Sequence, residues 1–248
     1  MRGKSLWYPL LACTLALLAS LSSLAFAEAA SPTEQMQVNA CRATSSLLLY
    51  RGEGQQSVHA ERLNSDLAAL DAALKSSPQI SDAMRQSHQL LVSELRRGLT
   101  FGPNEEDMPW SYPRDLSKAL RDFLMAVNPQ APGNARELIP VQVEYLTVQY
   151  LFRSYIGSFE IAKENTEQYL GQDERKLVPR IDGELSQLDD KSTPRLDKIK
   201  LRWNYLRVAL SDLNSGVTNM ESSSGRPFAP TQVDRHARSL SSQLMAAN

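Results

Sequence analysis

Cysteine is almost missing from this chain: two residues in 248, Cys13 and Cys41. No C-x-x-C pair and no C-x-x-C-H haem attachment can be written from them. Cys13 falls inside the leader described below, too early and with too much apolar sequence after it to mark a lipoprotein. The single remaining thiol has no internal partner for a disulfide. Lying in an apolar helical stretch, Cys41 reads as a small buried hydrophobe. Histidine is as scarce. His59, His88 and His236 stand far apart, none with a second histidine or a cysteine at ligand spacing, and H-E-x-x-H is missing. They read as solvated or capping side chains, and neither a metal nor any other cofactor is expected. The 11 glycines are scattered, so no G-x-G-x-x-G or P-loop backbone is there to cradle a phosphate. No G-x-S-x-G elbow occurs, and no serine has a lysine three residues on. The densest acidic cluster, Glu105-Glu106-Asp107, lacks the EF-hand spacing and reads as solvated loop surface. No residue is singled out as catalytic.

Neither sign of charge dominates: Lys and Arg number 27 against 28 Asp and Glu. That balance gives no electrostatic footprint for nucleic acid or an anionic membrane. Strict two-residue alternation never persists between turn signals, so no sheet is expected.

One long apolar run exists, Leu10–Leu24, broken by Thr14, Ser20, Ser22 and Ser23. Arg2 and Lys4 precede it, and Ala25-Phe26-Ala27 then fits the small-x-small pattern of a cleavage site. The run is too short and too rich in serine for a membrane span, which takes about 20 apolar residues. The reading is a secretory signal peptide, residues 1–27, cleaved near Ala27. An uncleaved anchor is the alternative. Cleavage would take away Arg2 and Lys4 and no acid, leaving 25 bases against 28 acids, a net charge of −3. The expected location is the periplasm or outside the cell, with no transmembrane span once the leader is gone. The following 221 residues can bury a substantial core without staples.

Helical periodicity fills that mature part. Leu196, Ile199, Trp203, Leu206, Leu210, Leu213, Val217 and Met220 alternate steps of three and four, a seam on one helix face. Leu138, Val141, Tyr145, Val148, Phe152, Tyr155 and Phe159 form another. Leu63, Leu67, Leu70 and Leu74 form a third, and Ile80, Met84, Ser87, Leu91, Leu95 and Leu99 a fourth. Ser76-Ser77-Pro78 and Ser192-Thr193-Pro194 are short breaks that imply antiparallel helix hairpins, with Thr193 as an N-cap and Pro194 at the first helical position. Pro140 and Pro179 belong in first turns or at kinks. The fold class is all-α, an antiparallel helical bundle.

The bundle reads as an internal duplication. Leu63-x3-Leu67 leads to Pro78-x-Ile80, and Leu177-x3-Ile181 leads to Pro194-x-Leu196. Leu99-Thr100 runs into a polar loop and then Pro109-Trp110, Pro113 and Leu116. Val217-Thr218 runs into one and then Pro227-Phe228, Pro230 and Val233. Matched pieces lie 114 to 118 residues apart in unchanged order. The repeat halves are residues 34–127 and 135–246, each ending in a short helix, 116–127 and 231–246.

Two surfaces suit recognition. Met108-Pro109-Trp110-Ser111-Tyr112-Pro113 is a stiff loop bearing two large aromatics, the residue types that anchor partners. Trp110 and Tyr112, with Phe228 as the counterpart in the second half, are the partner-binding candidates. The competing reading has Trp110 folded back to plug the end of the bundle, as Phe228 would in the other half. The second surface is the aromatic helix with Tyr145, Tyr150, Phe152, Tyr155 and Phe159, apolar beyond one stripe and therefore central. Tyrosine hydroxyls there, facing Arg42, Arg51 or Arg153, would line a small anion or polar-ligand pocket. The simpler reading is packing.

Gln35-Met36-Gln37-Val38-Asn39-Ala40-Cys41-Arg42, just after the leader, resembles the first helix of periplasmic helical-bundle sensor domains of nitrate sensors and type IV pili chemotransducers. Those open with Ile/Val-Asn-x-Ala-Gly followed by an arginine. The resemblance implies a sensory bundle and adds Asn39 to the ligand-binding candidates Arg42, Tyr145, Arg153 and Tyr155. Cys41-Arg42 stands where that family has Ala-Gly, and Ser45 where it has its arginine, so nitrate binding does not carry over.

These features imply an exported, non-catalytic helical module, sensory, adaptor or accessory, that binds an envelope protein or a small ligand and that can form a homodimer. A small-ligand receptor and a cell-envelope hydrolase or lyase are the alternatives. The last would need two carboxylates meeting in a cleft, one with a raised pKa.

Overall fold

Ser31 opens the first helix by accepting a hydrogen bond from the Glu34 N–H at 3.1 Å, and Pro32 follows with a φ already suited to a first turn. In this computed structural model, which describes residues 30–127, 135–156, 169–189, 193, 195–211 and 229–246, every regular element is helical. The α-helices are α1 (Pro32–Gly52), α2 (Ser57–Ser76), α3 (Asp82–Thr100), α4 (Tyr112–Val127), α5 (Ala135–Tyr155), α6 (Glu174–Ser186), α7 (Leu196–Ser211) and α8 (Pro230–Met245), with a 3-10 turn at Glu105–Asp107. The leader, the seam residues Leu213, Val217, Met220 and Phe159, and Phe228 lie outside the described residues. Among the described residues no helix is long and apolar enough to cross a membrane.

Two helices form the centre. On α1, Met36, Val38, Ala40, Cys41, Ala43 and Leu47–Leu49 are buried, and so are Thr44, Ser45 and Ser46 between them. On α5, burial is continuous from Ile139 to Phe152. Small side chains over the middle of α1 let neighbours approach from every side. It packs against α2, α3, α4, α5 and α8, while α5 packs against α1, α6, α7 and α8. The two central helices run parallel, because Arg42 meets Glu144 near their middles and Glu53 meets Tyr155 at their C-terminal ends. Gly52 permits that last approach, since a Cβ there would collide with the Tyr155 ring.

The outer helices turn their leucine seams inward as their periodicity predicts. Leu63, Leu67 and Leu70 of α2, Met84, Leu91 and Leu95 of α3, and Leu196, Ile199, Trp203, Leu206 and Leu210 of α7 are all buried. Each such side chain contributes roughly 1.5–3 kcal/mol of transfer free energy. Three local expectations are corrected. Antiparallel packing across Ser76-Ser77-Pro78 is not a close pair, because α2 packs on α1 and α3 on α4 and α1; the close antiparallel hairpin is α1 with α2. Thr193 does not cap α7: its hydroxyl is buried without a partner, and the carbonyl of Arg195, at φ 62°, accepts from Lys198 and Ile199 at 3.0 and 3.2 Å. Pro140 and Pro179 lie inside α5 and α6, in the second turn, which sets aside the first-turn placement and leaves the kink.

Candidate functional site

The charged side chains of the centre find one another. Arg42 on α1 donates from Nε to Glu144 Oε1 on α5 at 2.7 Å. Its Nη2 donates to the hydroxyls of Ser241 and Ser242 and to the Arg238 carbonyl on α8, at 2.7, 2.8 and 3.1 Å. Arg238 reaches back, donating to both Asp66 oxygens at 2.9 and 2.8 Å, to Asp234 Oδ1 at 3.0 Å and to the Arg42 carbonyl at 2.7 Å. Arg62 donates to Asp234 Oδ2 at 2.9 Å and to Ser46 Oγ at 3.1 Å, and Ser46 donates to Asp66 at 2.6 Å. Three arginines thus balance three buried carboxylates across α1, α2, α5 and α8. Burial works against the Arg238 charge, but Asp234 and Asp66 outweigh it and hold the guanidinium above its usual range. Such a network costs desolvation, and its clearest property is that removing one member strands the others.

The ligand-binding candidates do not form one pocket. Arg42 is committed to Glu144 and α8, so the guanidinium that the tyrosine pocket was to draw on meets a carboxylate instead. The Tyr145 hydroxyl accepts from the Gly171 N–H at 3.2 Å, its ring stands edge-on to Tyr169 at 5.4 Å, and burial raises its pKa to about 12. Tyr155 donates to the Glu53 carboxylate, and burial first, then that bond, pushes its pKa up. Arg153 is exposed near the end of α5, and Asn39 is half-buried on α1. The tyrosines therefore pack and tie helix ends, which is the simpler of the two sequence readings. Sequence reasoning missed Glu144, Asp66, Asp234 and Arg238, which are scattered along the chain and carry no motif.

The Pro-aromatic loop separates its two candidate rings. Trp110 does not plug the interior: it is 86 % exposed, with the Arg114 guanidinium 5.5 Å from its ring centre. Tyr112 is the plug. It is fully buried, edge-on to Phe101 at 4.8 Å, beneath the Arg97 guanidinium at 5.0 Å, and donates to the Glu94 carbonyl at 2.8 Å. The loop is braced by the Tyr112 N–H on the Pro109 carbonyl at 2.9 Å and by Asp107 accepting from the Asn104 N–H at 2.9 Å.

Cys41 is fully buried, and burial, with Glu144 second, pushes its thiol pKa well up, the condition of an inert thiol. Among the described residues no group of three His, Cys, Asp or Glu side chains is placed to hold a metal. His88 on α3 is corrected from a solvated to a buried side chain. Its ring lies 5.9 Å from that of Phe123, and its Nε2 is 3.4 Å from Asp71 Oδ1. Burial lowers its pKa, against the attraction of Asp71 and with the repulsion of Lys75. The unfolded chain therefore takes up this proton first, and stability is lost as pH falls through the unfolded value of about 6.5. Urea midpoints at about pH 7.5 and 5.5 should fall further in the wild type than in His88→Phe. Equal falls would mean that His88 protonates alike in the folded and unfolded states.

A cavity of about 1260 Å³ opens between the first turns of α1, the α2–α3 turn and the C-terminal end of α4. Comparison of the chain with protein-family models, with curated proteins and with solved structures finds no match.

Proposed function

We propose that this chain is an exported, non-catalytic helical bundle that serves as an adaptor or accessory module in the periplasm and binds an envelope protein through Trp110. Export rests on the leader at residues 1–27. Duplication into halves 34–127 and 135–246 is supported by neighbour relations. Each half opens with a buried central helix, α1 or α5, followed by three helices that pack on it, and the third and fourth pack on each other in both halves. The likeness of Gln35–Arg42 to sensor bundles agrees with a module that reports or relays and does no chemistry.

The observation that carries the binding reading is Trp110. An indole costs free energy in water, and this one is held out by a braced loop over a buried Tyr112. Trp, Tyr and Arg are the residue types enriched where a few side chains carry most of an interface's energy, and Arg114 stands against the indole to accompany it. The half-buried arginines of the network are spent on buried carboxylates, so the interior gives an anionic ligand no free cation at Arg42, Arg62 or Arg238.

In-cell crosslinking of the tagged protein, expressed with its leader, tests this directly. One stoichiometric envelope partner should be captured by the wild type and lost in Trp110→Ala. Equal capture by both forms would remove the loop from the interface, and a turnover activity that depends on one carboxylate or histidine would overturn the non-catalytic reading.

A further inference from the structure

We propose that the flank where α7 meets α8 is a binding site for a phosphate monoester, gripped by the guanidiniums of Arg202 and Arg235. Its evidence is separate from that of the Trp110 loop, which lies between α3 and α4. The two helices pack together, and the Tyr205 ring of α7 lies 4.5 Å from the His236 ring of α8 at an angle of 40°. Arg202 precedes Tyr205 by three residues and follows Lys198 by four, the spacings that share a helix face. Arg235 is the neighbour of His236 in sequence. Both guanidiniums come near enough to act on the His236 ring. Burial is the first cause that holds its pKa below the usual value, and Arg235 and Arg202 are the next. Among the described residues no carboxylate opposes them at that ring.

The acids that could answer these cations are engaged or turned away. α8 has one, Asp234, which is buried and bound by Arg62 and Arg238. α7 has one, Asp197, five residues before Arg202 and so more than a third of a turn round the helix from it. Arg207, on the other flank of α7, meets Asp182 at 3.4 Å. Arg202 and Arg235 have no ion pair and no side-chain hydrogen bond among the described residues. Arg202 is half-buried, and a guanidinium partly withdrawn from water without an acceptor is costly. An anion placed between the two arginines removes that cost. The guanidinium forks also select the anion. Two forks from two helices suit a group with three terminal oxygens and nearly two charges, which a phosphate monoester is at neutral pH. A carboxylate has two oxygens and one charge, and fills one fork.

Isothermal titration calorimetry of the purified protein with glycerol 3-phosphate provides the measurement. Binding should saturate at one site per chain, and sodium acetate at matched ionic strength should bind about tenfold more weakly or not at all. Arg202→Gln and Arg235→Gln should each weaken the phosphate ester about tenfold, the scale of a hydrogen bond to a charged group. Arg235→Lys should recover part of that loss, since lysine restores the charge without the fork. Arg85→Gln removes an equal charge from exposed surface on α3 and should stay within about twofold of the wild type. Arg235 is exposed, so its variants carry the test if Arg202→Gln fails to fold. Phosphatidylcholine vesicles with and without phosphatidic acid present or omit the same monoester at a surface. Binding of the free ester assigns the site to a soluble ligand. Co-sedimentation with the phosphatidic acid vesicles alone, lost in Arg235→Gln, assigns it to a lipid head group. The proposal is overturned by binding of neither, by acetate binding as tightly as the phosphate ester, or by Arg85→Gln weakening it as much as Arg235→Gln.

Discussion

Replacing Arg238 by methionine should lower the free energy of unfolding by about 3–5 kcal/mol, the range for stripping one partner from a buried ion pair. Methionine keeps most of the stem and its packing, so the loss isolates the guanidinium. Asp66 and Asp234 would both remain buried, and among the described residues the only guanidinium left in direct contact with either would be Arg62 on Asp234. The Arg42 carbonyl and the Ser46 hydroxyl would lose a donor as well. Adding Asp66→Asn and Asp234→Asn should recover part of the loss, because two uncompensated charges disappear with them. Urea unfolding followed by circular dichroism measures both steps. A loss below about 1 kcal/mol for Arg238→Met would mean that water reaches the carboxylates and that the network behaves like surface pairs.

The second large effect separates two aromatics that are neighbours in sequence. Tyr112→Ala should cost about 3–5 kcal/mol, as other buried aromatic truncations do. The ring leaves its edge-on contact with Phe101 and its place under Arg97, and the Glu94 carbonyl loses a donor. Tyr112→Phe keeps the ring and should cost about 1 kcal/mol, the size of one net hydrogen bond. Trp110→Ala should change stability by less than about 0.5 kcal/mol, because the indole is almost wholly in solvent. If instead Trp110→Ala destabilised the fold as much as Tyr112→Ala, the indole would be packed in solution and its value as a partner anchor would vanish.

Where one face of a helix is buried, the sequence announces it. The leucine seams of α2 and α7 and the mixed seam of α3 carry clean steps of three and four, and most of the large apolar side chains these helices bury, Leu63, Leu67, Leu70, Met84, Leu91, Leu95, Leu196, Ile199, Trp203, Leu206 and Leu210, are ones the steps select. Buried all round, α1 has no such stripe, so Thr44, Ser45 and Ser46 look like surface residues although they are inside. The aromatic helix α5 was legible as central because its apolar residues overflow one stripe, yet Gln142, Glu144 and Gln149 are buried there too. Their burial depends on partners far away in sequence. Gln149 donates to the Gln172 carbonyl at 2.9 Å and Gln142 to Glu184 at 3.1 Å. The ion network was illegible for the same reason, since Arg42, Asp66, Glu144 and Arg238 share no spacing that a motif would capture. Trp110 and Tyr112 were both legible as anchors, but one backbone turn decides which ring goes inside. That turn belongs to the Pro109–Tyr112 hydrogen bond and the space left at Gly98, where a Cβ would collide with the Tyr112 hydroxyl.

The parallel pairing of α1 with α5, and the return of α8 onto α1, also governs the order in which this molecule can come together. Arg42 waits for Glu144, 102 positions later, and for Ser242, 200 positions later. A chain emerging from a ribosome or a translocation pore, N-terminal end first, presents α1 long before either partner arrives. Its leucines and its cation stay uncovered meanwhile, and loop closure on that scale is slow. Two halves that resemble each other in layout therefore do not finish independently: the last helix to appear completes the surroundings of the first.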